Sequence, residues 1–356
     1  GKAPTRAKEL DKERKKENIQ RAISEQERNA KVAYSQKFFS GISAIQEAQR
    51  TKNILTGTVA SIETKDATGT ALQNGRKITM LSVILNGQYK VMIPFEEFFR
   101  DDAIDGKTID TSTPDGVEIL NRRQRQLAEK MYGATVDFVI TRVEVTSPYD
   151  YSISGSRKQA LEIMEIRNFI GRRGMEPNYK KGDSAVARVL SVGVYSLRVN
   201  VCGVDTKLDR GNLTFKYITN LMQDYHVGDL INVRIAEVII RPQDGRVELK
   251  INAKDFELQD ALERQMAGLI PVDTVTIGEI VSLRPSATKA NTIVINAWLP
   301  FFEMPATVRA MDPNTLAFQP KAGDKLRLRV TGFTESGFVL TTCHGYHDAP
   351  ALFGRH

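Results

Sequence analysis

The sequence has almost no cysteine and no long hydrophobic run. Its 356 residues contain only Cys202 and Cys343, which excludes a disulfide framework and predicts a reducing, cytoplasmic location. No apolar stretch approaches the roughly 20 residues of a membrane-spanning helix, so we expect no membrane partner. The first residues are charged rather than apolar, unlike a secretory signal.

Signatures of enzymes and of metal sites are missing as well. The chain contains no Gly-x-x-x-x-Gly-Lys phosphate loop and no Gly-x-Ser-x-Gly nucleophile turn. Cys343, His344 and His347 carry atoms that suit zinc, but no second cysteine pair stands at finger spacing. We therefore expect no enzymatic activity, no catalytic residues, no metal and no cofactor.

Positive charge is in moderate excess. The net charge of +7 favours an anionic partner, and nucleic acid is the commonest one for a soluble protein. Mild basicity is also common for solubility alone. Charge by itself therefore does not choose between a nucleic-acid binder and other classes of protein.

The clearest pattern lies in residues 179–254. Five short β-rich runs are separated by glycine turns, with a helical insert between the third and the fourth run. Gly182-Asp183 and Gly228-Asp229 precede the first and fourth runs, and Gly203-Val204 precedes the third. Five short strands in this order predict a small barrel of the OB type.

The same residues resemble a ribosomal protein S1-type domain, whose pattern places Gly-Asp and Gly-Val pairs at these points. The resemblance implies binding of single-stranded RNA through aromatics on strands two and three, with cations on the phosphates. It gives Tyr195 the first aromatic position of strand two, although Tyr195 could instead pack in the core. It places Asp209 where a histidine is common. The cations that it points to are Arg188, Arg198, Lys207, Arg210 and Lys216.

Two flanking stretches repeat the pattern less completely. Gly57, Gly182-Asp183 and Gly278 are expected at equivalent places in three barrels, and Pro94 and Pro300 at the exits of two third strands. The aromatic positions of the first barrel hold Thr79 and Ser82, so stacking is not expected there. In the third barrel three aromatics flank Pro300 and suggest a protein interface: Trp298, Phe301 and Phe302.

The N-terminal region predicts a long polar helix over residues 1–39 that ends at Gly41. Such a helix is either a solvated arm or a tether for a partner. Its apolar residues are expected to dock its C-terminal end on the first barrel: Tyr34, Phe38, Phe39, Ile42 and Ile45.

The predicted fold is mainly β, with three tandem five-stranded OB-type, S1-like barrels, helical connectors and a long N-terminal helix. The predicted boundaries are a helical arm (1–52), a first barrel (53–160) with an insertion (100–132), a helical linker (161–178), a central barrel (179–254), a second linker (255–271), a third barrel (272–345) and a tail (346–356).

Two functions remain open from the sequence. The leading one is non-catalytic binding of single-stranded RNA through these barrels, the central one first. The alternative is a structural or assembly protein, for example of a virion or another large particle. In that case the degenerate barrels are protein-interaction modules, and a protein partner or a second copy binds through the N-terminal helix and the third barrel.

Overall fold

The computed structural model describes residues 33–66, 77–100, 113–172, 174–287, 290–312 and 319–346. The chain forms two compact units. The first comprises Gly1–Asp101 and Asp137–Ala160, and the second comprises Asp102–Val136 and Leu161–His356. No helix in the described ranges is long and apolar enough to cross a membrane. The predicted tail from residue 347 onward and most of the predicted arm lie outside these ranges.

The first barrel follows a helix α1 over residues 33–51. Its elements are β1 (Leu55–Asp66), β2 (Lys77–Leu85), β3 (Tyr89–Pro94), α2 (Phe95–Phe98), α3 (Pro114–Glu129), β4 (Thr135–Ser147) and β5 (Asp150–Ser156). The strands close in the order β1-β2-β3-β5-β4, and β3 and β5 run parallel. This strand order is that of an OB fold.

The central barrel begins after helix α4 (Arg157–Glu165) and a π-helical turn (Ile166–Ile170). Its elements are β6 (Ser184–Val192), β7 (Ser196–Val201), β8 (Val204–Asp209), α5 (Arg210–Leu213), a 3-10 turn (Leu221–Gln223), β9 (Leu230–Ile240) and β10 (Val247–Asn252). The sheet order is β10-β9-β6-β7-β8. Its two edge strands meet where Thr206 Oγ1 donates to the Leu249 carbonyl at 2.8 Å.

The third barrel follows helix α6 (Lys254–Met266). Its strands are β11 (Val275–Pro285), β12 (Ile293–Leu299), β13 (Met304–Met311), β14 (Lys325–Phe333) and β15 (Val339–Tyr346). They close in the order β11-β12-β13-β15-β14, with β13 and β15 parallel. The fold class is therefore the predicted one, three five-stranded OB-type barrels, while the domain boundaries themselves stay predictions.

A repeated pattern of backbone hydrogen bonds shows that the central and third barrels are built alike. In the central barrel Val189 exchanges hydrogen bonds with Gly228 (2.9 Å) and Asp229 (2.8 Å). In the third barrel Ile280 does the same with Gly323-Asp324, at 2.8 Å for both bonds. An irregular step in strand pairing follows Val189 and Ile280, and it bends the first strand of each barrel.

The expected equivalence of Gly182-Asp183 with Gly57 and Gly278 is wrong. Gly57 and Gly278 each lie two residues before the irregular step of their first strand, and Ala187 holds that place in the central barrel. Gly182 lies before β6, where its N–H donates to Ile235. The dipeptide marks strand entry, whereas Gly57 and Gly278 mark the bend. Because alanine holds the bend position of the central barrel, the sequence pattern matches the nearby Gly182 instead.

Pro300 does not mark a third-strand exit. Pro94 ends β3 as expected, but Pro300 follows β12, which is the second strand of its barrel. It opens the tight turn that leads to β13, a strand that the sequence did not predict. β13 carries Pro305 near its start. Proline within an apolar run argues against a strand, so the sequence alone does not indicate one here.

The N-terminal helix does not end at Gly41. α1 continues to residue 51, and glycine at position 41 allows a close approach, because a Cβ there would overlap the hydroxyl of Tyr89. That hydroxyl donates to the Phe38 carbonyl at 3.0 Å. The glycine therefore serves packing of the helix on the barrel rather than termination.

Docking of α1 on the first barrel follows the prediction in part. Phe38, Ile42 and Ile45 are buried, and the ring of Tyr34, although partly exposed, stacks on Tyr149 of this barrel at 6.1 Å, whereas Phe39 is 45% exposed. The buried three recur at helical spacing and define the face that packs on the barrel.

Candidate functional site

The outer face of β7 and β8 brings three of the predicted cations to one region. Leu197, Val199 and Val201 point into the core of the central barrel, so the residues between them point outward. Arg198 on β7 lies directly opposite Lys207 on β8. Arg210 follows at the start of α5, one residue after β8 ends.

Tyr195 lies at the entrance to β7, and 67% of its surface is exposed. The alternative in which it packs in the core is therefore wrong. Its carbonyl accepts a hydrogen bond from the Arg210 N–H at 3.0 Å, which fixes the loop against the end of β8. The ring lies at the edge of the face formed by β7 and β8.

The Arg210 guanidinium covers one face of that ring. Its Cζ lies 5.8 Å from the Tyr195 ring centroid, within the range of a cation–π contact. Arg210 Nη1 also donates to the Ile218 carbonyl at 2.6 Å, so the guanidinium is held in place. A fixed cation beneath an exposed ring is a platform on which a flat aromatic ligand can stack.

Asp209 partly neutralises this surface. Its carboxylate lies 2.8 Å from Lys207 Nζ, and both side chains are more than half exposed. Such an exposed pair contributes about 0–1 kcal/mol of stability. Its larger effect is on binding, because the carboxylate competes with any anionic ligand for the Lys207 ammonium.

Arg188 lies one row further along the same face. It stands opposite Asn200 on β7, and its Nη1 donates to the Thr135 carbonyl at 3.3 Å. Asn200 Nδ2 in turn donates to Asp205 Oδ1 at 2.8 Å. This row is thus already hydrogen-bonded within the protein, unlike the ring of Tyr195.

Lys216 lies elsewhere, at a junction of the central and third barrels within the second unit. Its ammonium is 5.4 Å from the ring centroid of Trp298, which is buried. Beside it the rings of Phe215 and Phe338 meet edge to face at 5.2 Å. The structure does not bring Lys216 together with Tyr195. The sequence could not show this, because Lys216 contacts a residue of the third barrel that is far away in the chain.

Lys254 stands at the same junction. Its ammonium lies 4.5 Å from the Phe215 ring centroid, and burial lowers the pKa of Lys254 from its ordinary value. Glu257 accepts from the Phe215 N–H at 2.6 Å and from Thr214 Oγ1 at 2.5 Å. These polar contacts fix the segment that carries Phe215 and Lys216.

The three aromatics predicted as an interface separate into a buried and an exposed part. Trp298 is covered, whereas Phe301 is 85% exposed on the turn between β12 and β13. Phe302 is half-buried and meets Phe301 edge to face at 5.0 Å. Only the turn is available to a partner.

The first barrel offers no stacking ring at the equivalent positions. Ser82 is buried, and Tyr89 is buried beneath α1. In the basic helix α3, Arg122 and Arg125 form ion pairs with Glu118 and Glu129 of the same helix. Such i, i+4 pairs are typical of a solvated helix face.

Metal-binding clusters are not found in the part of the chain that the structure describes. His347 lies outside it. Cys202 is half-buried, and burial raises the pKa of its thiol, which favours an unreactive thiol.

No protein-family model and no curated protein matches this chain. Among solved structures, Drosophila Unr CSD456 is 10% identical over 83% of this chain and 98% of its own, with a TM-score of 0.16. A murine DNA binding protein bound with dsDNA is 7% identical over 82% and 93%, with a TM-score of 0.15. The p202 HIN1 complex with 12-mer dsDNA is 12% identical over 48% and 90%, with a TM-score of 0.16. Similarities this low carry no argument here, and the OB fold rests on strand order.

Proposed function

We propose that this chain binds single-stranded RNA, without catalysis, through an S1-like face of its central barrel. The exposed ring of Tyr195, backed by the Arg210 guanidinium 5.8 Å away, is the observation that carries the proposal. In OB folds the outer face of strands two and three, with the loop before strand two, is where oligonucleotides bind. Tyr195, Arg198 and Lys207 occupy those places.

The chemistry of this face favours a single strand over a duplex. A ring can stack only on a base that is already unstacked from its neighbours, and such a contact contributes about 1–3 kcal/mol. Arg198 and Lys207, opposite each other across two strands, would contact the phosphates. With one exposed ring, the central barrel alone would bind weakly and with little sequence preference.

The experiment that tests the proposal is a titration of the full chain with fluorescein-labelled oligo(U), followed by anisotropy over a range of salt concentrations. We expect saturable binding whose affinity falls as salt rises, since each phosphate contact releases a counterion. An affinity that vanishes by about 0.15 M salt would overturn the proposal, because general positive charge alone gives that result.

Removing a phosphate-contacting cation should weaken binding uniformly. We expect Arg198→Ala to lower the affinity for oligo(U) and oligo(A) by the same factor and to make the slope of log K against log salt shallower by about 0.7. Arg284→Ala, a charge removal on β11 of the third barrel, is the matched control. Equal losses in both variants would argue against this face.

Neutralising Asp209 should have the opposite effect. Asp209→Asn removes the carboxylate that holds Lys207 at 2.8 Å, so we expect about two- to fivefold tighter RNA binding at low salt. The salt slope should steepen by up to about 0.7. Asp209 makes no side-chain cap to α5, so folding should be unaffected. Asp260→Asn on α6 is the control for a general gain in charge, and an equal gain there would contradict the local explanation.

The alternative, an assembly protein with barrels as interaction modules, remains a second proposal. The specific observation that favours it is the exposure of Phe301, which no stacking surface of the OB type explains. Absence of RNA binding in the titration, together with self-association or capture of a partner through this turn, would favour it. The cytoplasmic location is likewise a proposal, supported by the small number of cysteines.

A further inference from the structure

The outer face of β11 and β14 in the third barrel combines apolar and cationic residues in register. Val275 lies opposite Arg329, Ile277 opposite Arg327, and Glu279 opposite Lys325. Residues of β14 alternate between core and solvent, so its three cations all point outward. Directly opposite side chains on neighbouring strands lie about 5 Å apart, which makes this a continuous mixed surface.

Two adjoining grooves run across one end of that surface. One, of about 570 Å³, is lined by Thr274 to Ile277, by Pro300 to Phe302 and by Lys325. The other, of about 420 Å³, lies between Arg264, Leu269 and the turn from Pro300 to Glu303. The exposed ring of Phe301 belongs to both grooves, so it stands between them.

The grooves are bordered by exposed hydrocarbon. Phe301 is 85% exposed, Leu269 59%, Val275 43% and Ile277 36%. Single exposed apolar residues are ordinary, but a cluster around a groove marks an interaction site. An exposed phenylalanine between two grooves is also the kind of anchor that dominates binding energy in protein interfaces.

The rim of this surface is positively charged. Arg264 is paired with Glu303 at 2.7 Å, and Glu279 stands beside Lys325. Within the described residues, the guanidinium groups of Arg327 and Arg329 have no ion pair or hydrogen-bond partner. A ligand with carboxylates above its apolar side chains would therefore complement both parts of the surface.

We propose that this surface of the third barrel docks an acidic amphipathic helix of a protein partner. Its apolar side chains, spaced i, i+3, i+4 and i+7, would occupy the two grooves on either side of Phe301, and its carboxylates would face Arg327 and Arg329. Added-strand binding is excluded, because β11 and β14 are each paired on both sides. A peptide fits better than nucleic acid, since the exposed side chains around Phe301 are aliphatic (Leu269, Val275 and Ile277) and suit apolar side chains rather than stacked bases.

The test uses the full chain and a synthetic, fluorescein-labelled helix of about 18 residues, with leucine and phenylalanine on one face and glutamate on the other. A scrambled peptide of the same composition, without an apolar face, is the ligand control. We expect saturable binding of the helix at about 0.15 M salt, and at least tenfold weaker binding of the scrambled peptide.

Variants locate the site. Phe301→Ala should weaken peptide binding at least about tenfold, and Arg327→Gln about two- to fivefold with a shallower salt dependence. Phe301 is exposed, so its removal should leave circular dichroism and thermal unfolding unchanged. Tyr195→Ala, in the central barrel, should leave peptide binding intact and keeps this site distinct from the proposed RNA face.

Three results would overturn the proposal. One is the absence of saturable peptide binding, and another is equal binding of the scrambled peptide. The third is competition by oligo(U) together with a loss of RNA affinity in Phe301→Ala, which would assign the surface to nucleic acid. The proposed RNA-binding function could fail while this site is confirmed, since the variants that test RNA binding lie in the central barrel.

Discussion

A Gly203→Ala variant is expected to lose about 2–5 kcal/mol of unfolding free energy. Gly203 lies in the two-residue turn between β7 and β8, with φ at 104°, and Cys202 before it also has a positive φ of 51°. Turns with two positive φ values match the twist of a hairpin, and glycine adopts them without steric cost.

The turn is also packed against a helix, which increases the expected loss. A Cβ on residue 203 would overlap Cβ of Met164 and approach the Glu165 nitrogen to 3.3 Å. Asn168 Nδ2 donates to the Cys202 carbonyl at 2.7 Å and holds the turn in that position. The turn therefore cannot move away from α4 without losing a hydrogen bond.

Gly245→Ala provides the matched control. Gly245 lies in the hairpin between β9 and β10 of the same barrel at a φ of 69°, but no atom lies within 4 Å of its Cβ position. We expect a loss of about 1 kcal/mol there, from backbone conformation alone. Urea unfolding of both variants measures the difference, and similar losses would show that contact with Met164 costs nothing.

Tyr195→Ala should have the largest effect on RNA binding of any substitution in the central barrel. Loss of stacking is expected to weaken binding to oligo(U) by about 1–3 kcal/mol, with little change in salt slope. Tyr195→Phe keeps the ring and should bind as the unmodified chain does. Because the ring is 67% exposed, neither change should alter thermal unfolding.

Two results would contradict stacking by Tyr195 or change its interpretation. If Tyr195→Ala binds RNA like Tyr195→Phe, the ring does not stack and the proposed face is wrong. If Tyr195→Ala weakens binding and also changes the salt slope, the variant has disturbed Arg210, whose guanidinium rests on the ring. Arg210→Ala, measured alongside, separates these two effects.

Much of the fold could be predicted from sequence because its signals are local. Alternation of apolar and polar residues marks each barrel without knowledge of the others, and Gly-Asp pairs precede strands of the central and third barrels. β13 was missed because Pro305 and two methionines do not resemble a strand. Its strand character comes from pairing with β12 across a tight turn and with β15, which is distant in sequence.

The candidate site was predictable to the same extent. Tyr195, Arg198 and Lys207 come together because strand register follows from a short hairpin. Lys216 was misplaced since its neighbour Trp298 is far away in sequence. The cationic surface of the third barrel was overlooked, although the alternation in Lys325 to Val330 is visible in the sequence.

The junction at Lys216 has an experimental consequence. Trp298 is the only tryptophan of the chain, and it is buried beneath an ammonium group contributed by the neighbouring barrel. Indole fluorescence is therefore a label that the protein already carries for separation of its central and third barrels. A shift of its emission to longer wavelength, before the far-ultraviolet signal of the strands is lost, would report the two barrels parting while each remains folded.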